Sequence, residues 1–163
     1  IVPQQDINHL WESLLQAGVK PCGLAARDTL RLEAGMLLYG QDMDESTTPL
    51  ESGLGWIVNW QRDDRDFIGK GALVSQKQHG LKRKLVGLTL QDKGIMRTGQ
   101  RVLVDGYADG IITSGTFSPT LGQSIALARV PIETTDTVFV EIRGKQHLAQ
   151  VGKPRFVKQG KAI

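Results

Sequence analysis

Residues 81–90 read LKRKLVGLTL, and at this stretch the sequence changes from a helical to a strand-like pattern. Five more short stretches rich in β-branched or alternating apolar residues follow, at 101–104, 110–116, 124–130, 137–143 and 147–151. Turn-forming pairs such as Asp105-Gly106 and Arg143-Gly144 separate them. Six short strands at these intervals predict a small antiparallel barrel or sandwich.

The first 80 residues have a mainly helical pattern. Asp6 can cap a helix that ends at Gly18, because the apolar side chains between them recur at spacings of three and four. Residues 22–35 are rich in Ala, Leu, Arg and Glu, which predicts a second helix that stops at Gly35.

Three further elements are predicted before the strands begin. TPLE at residues 48–51 has the pattern of a capping box and predicts a short helix that ends near Gly53. GWIVNW at residues 55–60 has the composition of a strand. A last helix is predicted over residues 67–79, closed by Gly80.

This change of pattern predicts an α+β protein with a domain boundary near residue 80. Residues 1–80 offer several helices and about one strand, which is little from which to build a closed core. We therefore expect residues 1–80 to be the helical tail of a larger α+β domain whose sheet lies upstream. Residues 81–163 are expected to form the β-barrel domain.

Charge is distributed unevenly along the chain. Residues 1–80 hold seven Lys or Arg against eleven Asp or Glu, giving −4, whereas residues 81–163 hold thirteen against six, giving +7. A basic half can attract nucleic acid, an anionic cofactor or an acidic protein. Aromatic residues are sparse in that half, so it offers poor stacking surfaces and we expect no nucleic-acid binding. No apolar run approaches the ~20 residues of a membrane span.

Several kinds of chemical site are not indicated. His9, His79 and His147 are scattered and Cys22 is the only cysteine, so no metal site is predicted. The chain has no G-x-S-x-G elbow, Walker loop or GxGxxG motif. The hydroxyl-rich residues 113–116 fit a strand that runs into a turn. A single cysteine and the absence of a recognisable secretory signal favour a reducing compartment, and we expect the cytoplasm.

Arg27 is the strongest candidate for a binding residue. Arg27 and Arg31 lie four residues apart, so on a helix they share a face and repel each other, and Asp28 can relieve this by pairing with Arg31. The small residues 23–26 just before Arg27 permit close approach. A guanidinium in such a place is suited to a planar anion.

A series of motifs in fixed order resembles the T-protein of the glycine cleavage system. They are GLAARDTLRLEAG at 23–35, LYGQDMDE at 38–45, TPLE at 48–51, GW at 55–56, DFIGK at 66–70, GIITSGTFSPTLG at 110–122 and KPRFV at 153–157. They extend over nearly the whole chain, which corresponds to somewhat less than the last half of a typical member.

The resemblance implies transfer of an aminomethyl group from the lipoyl arm of H-protein to tetrahydrofolate. This reaction releases ammonia and gives 5,10-methylenetetrahydrofolate. Members have three domains around a folate channel, and the last domain is a β-barrel. The family's catalytic aspartate lies in the N-terminal part, and the glutamate that holds the pterin falls just before Ile1. We therefore expect no catalytic residue in these 163 residues and no turnover by them alone.

Three residues of this chain match positions to which the resemblance assigns folate contacts. Arg27 matches the arginine that contacts folate, and Trp56 matches a tryptophan near the channel, where it could stack on the ligand or serve as a core residue. Lys161 lies where some members carry a basic residue that reaches the folate tail. The basic residues near the end of the chain could instead meet the acidic surface of H-protein; they are Lys153, Arg155, Lys158 and Lys161.

Two related functions remain open from the sequence. A folate-binding module of a sarcosine- or dimethylglycine-dehydrogenase-like enzyme shares this fold, and a flavin domain upstream would favour it. Non-enzymatic folate-binding proteins linked to iron–sulfur assembly carry a K-G-C-Y-x-G-Q-E type of motif. Cys22 has no such neighbours, which disfavours the second alternative.

Overall fold

A computed structural model of the chain describes residues 1–60 and 65–163. Within these ranges the helices are α1 (Ile7–Gln16), α2 (Leu24–Glu33) and α3 (Lys70–His79), with single 3₁₀ turns at Gln4–Asp6 and Gly55–Ile57. The strands are β1 (Arg83–Leu90), β2 (Arg101–Leu103), β3 (Gly110–Ser118), β4 (Gln123–Pro131), β5 (Thr137–Ile142), β6 (Lys145–Gly152), β7 (Val157–Lys158) and β8 (Lys161–Ala162). No helix of the described residues has the length and apolar content needed to cross a membrane.

The three predicted long helices are present. α1 lies where its apolar spacing placed it, although the Asp6 side chain makes no capping hydrogen bond. α2 ends as predicted before Gly35, where the amides of Gly35 and Met36 donate to the carbonyls of Leu32 and Arg31 at 3.0 and 2.8 Å. α3 begins later than predicted, because residues 67–70 form a turn closed by a hydrogen bond from the Lys70 amide to Phe67.

Two predictions between residues 48 and 60 were wrong in part. The capping box forms, since the Thr48 amide donates to Glu51 Oε2 at 3.4 Å and the Glu51 amide donates to Thr48 Oγ1 at 3.3 Å. It closes only a turn, however, and no helix follows. Residues 55–60 are not a strand, because residues 55–57 coil into a 3₁₀ turn with the Ile57 amide on the Leu54 carbonyl at 3.0 Å.

All six strands predicted after residue 80 are present, and they form the barrel rather than a sandwich. The barrel closes in the order β1-β4-β3-β2-β5-β6, and every neighbouring pair is antiparallel. Its interior is filled by aliphatic side chains from all six strands, including Leu88, Val102, Ile112, Val130 and Val140. The alternating sequence pattern therefore has the expected cause, namely one face of each strand turned into the barrel.

The outer face of β4 is also buried, because the end of α2 packs on it. Alternate β4 residues point inward, whereas Ile125 and Leu127 point outward into a second cluster with Leu32 of α2 and Phe156. Burying apolar area on both faces explains why β4 is the most continuously buried strand of the barrel. The helical segment is thus fixed to the barrel wall.

The end of α2 also contacts the chain just before the β7–β8 hairpin. The Phe156 amide donates to the Glu33 carbonyl at 3.0 Å, and Arg155 Nε donates to the Ala34 carbonyl at 3.3 Å. Gly35 has φ 72°, and a Cβ built there would lie 1.9 Å from the Pro154 carbonyl oxygen. Only glycine allows this close approach of the two backbones.

Gly35→Ala is expected to lower the free energy of unfolding by about 2–5 kcal/mol, since a strained backbone and overpacking add together. Gly53→Ala is the matched control, because Gly53 has φ 70° but a Cβ placed on it would have nothing within 4 Å. That variant should lose only the backbone contribution, about 1–2 kcal/mol. Urea unfolding followed by circular dichroism measures both, and equal losses would show that the contact with Pro154 is unimportant.

Candidate functional site

Arg31 lies at the centre of a buried polar network between α2 and the barrel. Its Nε donates to Asp28 Oδ1 at 2.7 Å, as the helical spacing predicted, and its Nη1 donates to Asp42 Oδ2 at 2.9 Å. Its Nη2 donates to Ser114 Oγ on β3, also at 2.9 Å. The Arg31 side chain is only 7% exposed, so these bonds replace water as its partners.

Asp42 is the matching anion and is fully buried. Besides Arg31, its carboxylate accepts hydrogen bonds from the Leu38 amide at 2.8 Å and from Thr113 Oγ1 at 2.6 Å. Its backbone carbonyl accepts one from Arg129 Nη2 at 2.6 Å. A buried carboxylate is tolerated when it is paired and hydrogen-bonded in this way.

A β-bulge in β3 brings two consecutive hydroxyl groups to this ion pair. Ile112 pairs with Ala128 and Ser114 pairs with Leu127, so Thr113 is an extra residue in the ladder. In a regular strand the side chains of residues 113 and 114 would point to opposite faces. The bulge lets Thr113 reach Asp42 while Ser114 reaches Arg31. The strand that was expected to run into a turn after residue 116 is present, and it continues through the bulge as far as Ser118.

The loop that carries Asp42 is stabilised further along by Asp44. Ser46 donates to Asp44 Oδ1 through its hydroxyl at 2.6 Å and through its amide at 2.8 Å. These hydrogen bonds, the hydroxyl first, lower the pKa of Asp44 below its usual value. Asp44 is therefore held as an anion and fixes the turn that follows Asp42.

Glu33 anchors the other side of the last turn of α2. Its carboxylate is buried and accepts hydrogen bonds from the hydroxyl of Ser118, from Thr120 Oγ1 at 3.0 Å and from the Thr120 amide at 3.3 Å. Arg31, Leu32 and Glu33 thus point in three directions from the same turn, and all three are buried. These three side chains fix the position of the last turn of α2.

The first two turns of α2, in contrast, project away from these contacts. The Arg27 side chain is exposed and makes no hydrogen bond to any described residue, and Leu24 and Leu30 are 79% and 65% exposed. A shallow cavity of about 400 Å³ lies beside this part of the helix, against the β3–β4 turn. It is lined by Ala25, Ala26, Thr29, Leu30, Glu33, Pro119 and Thr120.

Trp56 is 81% exposed on the 3₁₀ turn that follows the capping box. It lines a cavity of about 360 Å³ with residues 57–60. Trp60 fixes this loop, because its Nε1 donates to the Gly55 carbonyl at 3.1 Å and its ring lies 4.8 Å from the Lys77 ammonium. The loop therefore presents the Trp56 ring to the outside.

Lys161 is exposed on β8, directly opposite Lys158 of β7. Within residues 1–60 and 65–163, no hydrogen bond joins Arg27, Trp56 or Lys161 to one another, and no cavity described above is lined by two of them. Their assignment to one ligand stays a prediction. The segments that carry Arg27 and Lys161 are in contact, because the end of α2 and the chain before β7 are hydrogen-bonded at residues 33 and 34.

Comparison with known families identifies the chain. The family described as glycine cleavage T-protein C-terminal barrel domain matches residues 83–158, and the GCVT N-terminal domain matches residues 1–62. This chain belongs to the glycine cleavage T-protein family. The closed barrel agrees with the first match, and it confirms the α+β fold expected from the sequence.

Individual T-proteins agree with this assignment. The chain is 72% identical over all its 163 residues to an aminomethyltransferase of Legionella pneumophila (strain Corby). It is 55% identical to one of Methylococcus capsulatus (strain Bath). Each match covers 45% of the relative, so the chain spans less than half the length of these proteins.

A solved T-protein structure has the same fold. The crystal structure of the glycine cleavage system aminomethyltransferase T from Bartonella henselae superposes with a TM-score of 0.86 at 34% identity. The match covers 99% of this chain and 46% of that one. Such a likeness over the whole chain includes the helical segment as well as the barrel.

The sequence did not single out the buried residues of this T-protein segment. Arg31 was recognised only as the partner of Asp28, and Glu33 and Asp42 only as parts of motifs. The carboxylates of Glu33 and Asp42 accept hydrogen bonds from residues more than 70 positions later in the sequence, so no local sequence pattern reveals them. Among the described residues, no group of three or more His, Cys, Asp or Glu side chains is arranged to hold a metal ion.

Glu33→Gln is expected to lower the free energy of unfolding by about 1–3 kcal/mol. Glutamine keeps the shape of the side chain but replaces one carboxylate oxygen with an NH2 group. This group cannot accept the hydrogen bonds that Ser118 or Thr120 now donates to that oxygen. The Glu12 side chain on α1 is exposed and has no hydrogen bond to the described residues, so Glu12→Gln is the control and should change stability by less than about 0.5 kcal/mol. Chemical unfolding of both variants gives the answer. If Glu33→Gln matched the control, the Ser118 and Thr120 contacts would not stabilise α2.

Proposed function

We propose that this chain is the C-terminal part of a tetrahydrofolate-dependent aminomethyltransferase of glycine cleavage. The reaction moves the aminomethyl group from the lipoyl arm of H-protein to tetrahydrofolate, with release of ammonia and formation of 5,10-methylenetetrahydrofolate. The observation that carries the proposal is 72% identity over the full chain to a protein named aminomethyltransferase. The same name on a relative at 55% identity supports it over the dehydrogenase-like alternative.

Activity is proposed for the longer protein rather than for these residues alone. The apolar side chains of α1 support this, because they are exposed although they lie on one face; they include Ile7, Trp11, Leu14 and Leu15 at 40–56% exposure. An exposed apolar face of this kind favours burial against another part of the longer protein. The catalytic aspartate of the family would come from that part, and this chain would supply binding groups.

Arg27 is proposed as the main folate contact of this segment. Its guanidinium is exposed, is unpaired within the described residues and is carried by a helix whose last turn is fixed. A planar, always charged donor can bind a carboxylate or carbonyl of folate through two N–H groups. Trp56 offers an exposed ring for stacking on the flat part of the ligand, and Lys161 a point charge for the folate tail.

Three secondary proposals accompany this one. The domain boundary is placed near residue 80, between α3 and β1. The basic surface formed by Lys153, Arg155, Lys158 and Lys161 is a candidate contact for the acidic H-protein. The cytoplasm is proposed as the compartment because Cys22 is the only cysteine.

Arg27→Ala in the longer protein is expected to raise the dissociation constant of tetrahydrofolate roughly 10- to 150-fold. This range corresponds to the loss of one charged hydrogen-bonding group, about 1.5–3 kcal/mol. Isothermal titration calorimetry measures the constant, and ammonia release from aminomethyl-loaded H-protein measures turnover.

Lys145→Ala is a suitable control for Arg27→Ala. It also removes one exposed positive charge, but at the start of β6 on the barrel. Its folate affinity should equal that of the unmodified protein. Equal affinities for all three proteins would contradict the role of Arg27, and an unmodified protein that neither binds folate nor releases ammonia would contradict the proposed function itself.

A further inference from the structure

We propose that Arg31, Asp42 and the Thr113–Ser114 bulge are positioning residues for folate binding, because they set the direction in which α2 presents Arg27. This inference rests on the proposed function. It concerns residues that do not touch the ligand and act through Arg27. The arrangement that points to it is an ion pair, buried between helix and barrel, that receives two hydroxyl groups from one bulge.

Helix α2 consists of a fixed part and a projecting part. The last turn is buried through Arg31, Leu32 and Glu33, whereas Arg27, one turn earlier, is exposed. Nothing else among the described residues bonds to the Arg27 side chain. The orientation of its carrier helix therefore depends on the contacts of that last turn.

The distance from the last turn of α2 to the Arg27 guanidinium determines how far a tilt of the helix moves that group. Four residues of helix span about 6 Å, and an extended arginine side chain adds several more. A tilt of roughly 10° about the last turn would displace the Arg27 guanidinium by about 1–2 Å. Displacement by this amount breaks a hydrogen bond that needs a donor–acceptor distance of about 3 Å.

The bulge makes the network directional, which a merely hydrophobic contact would not be. Leu32 packs against apolar side chains, which make no directional bonds and so tolerate rotation of the helix about its own axis. Arg31 instead bonds to fixed oxygens on both sides, Asp42 Oδ2 and Ser114 Oγ. Thr113 Oγ1 holds the other oxygen of Asp42 at 2.6 Å and so fixes the plane of the carboxylate.

Thr113→Val is the test variant, because it keeps the shape of the side chain and removes the hydroxyl. In the longer protein we expect it to raise the dissociation constant of tetrahydrofolate about 3- to 10-fold. Thr113→Ser restores the hydroxyl and should restore the affinity. Asp42→Asn should act in the same direction, but Thr113→Val carries the test if that variant does not fold.

A double-mutant cycle with Arg27→Ala separates positioning from general damage. If Thr113 acts through Arg27, Thr113→Val should add less than about twofold to the loss already caused by Arg27→Ala. Val102→Ala, in the barrel interior, is the control for stability, because Val102 is fully buried and lies in the core cluster that does not include Leu32. It should lower the melting temperature and leave the folate affinity of the folded protein unchanged.

Each result has a distinct meaning. Additive losses in the cycle, or an unchanged affinity in Thr113→Val, would overturn the positioning role while leaving the proposed function intact. A loss of affinity in Val102→Ala comparable with that of Thr113→Val would overturn it too, since any destabilisation would then suffice. If Arg27→Ala alone has no effect, the site assignment fails first, and the positioning proposal falls with it.

Discussion

The ion pair between Arg31 and Asp42 is the constraint on which the arrangement of the helical segment depends. Removing two charges from water is costly, and their attraction offsets the cost only when the remaining donors and acceptors are satisfied. Here Asp28, Ser114, Thr113 and the Leu38 amide supply those partners. Because the partners come from α2, from the following loop and from β3, the pair forms only when all three are in place. It therefore specifies one docking geometry rather than merely adding stability.

The barrel contributes to this geometry through its outer surface as much as through its interior. Small barrels bury one face of each strand, but β4 buries both, and its outward residues Ile125 and Leu127 form a second core with Leu32 and Phe156. The C-terminal chain reaches the same place, since Phe156 bonds to Glu33. One patch of barrel wall thus positions the helix that carries Arg27 and the hairpin that carries Lys161. The two segments lie far apart in the sequence but share a support.

The sequence was a good guide where a local pattern has a single structural cause. Stretches of β-branched or alternating apolar residues located all six barrel strands. Apolar spacing, helix-favouring composition and glycine stop residues located α1 and α2, because periodicity and backbone preference act within a few residues. Residues 55–60 show the opposite case. Their apolar content matched a strand, yet Trp56 and Ile57 are exposed on a 3₁₀ turn, so the pattern reflects a surface and not a sheet.

The candidate site was only half predictable for a related reason. Arg27 and Arg31 occupy equivalent places in a helical repeat, and small neighbours favoured Arg27 as the one that meets a ligand. Which arginine is buried is decided by residues 42, 113 and 114, and one of these reaches the helix only because of a bulge. No spacing rule signals a bulge that is defined by the register of two strands. The closure of the barrel depends likewise on pairing between β1 and β6, which stand at opposite ends of the barrel sequence.

An exposed arginine is by itself a poor indicator of a binding site, since most exposed arginines are simply solvated. What distinguishes Arg27 is the contrast with Arg31 on the same helix, where one guanidinium is saturated with internal partners and the other has none among the described residues. A donor on a helix that is already fixed loses less conformational entropy on binding than one on a loose segment, so more of its hydrogen-bond energy remains for the ligand. The same reasoning explains why the costly ion pair is placed in the last turn. The contacts with the barrel make the last turn of α2 rigid, and this rigidity orients Arg27, which lies one turn earlier.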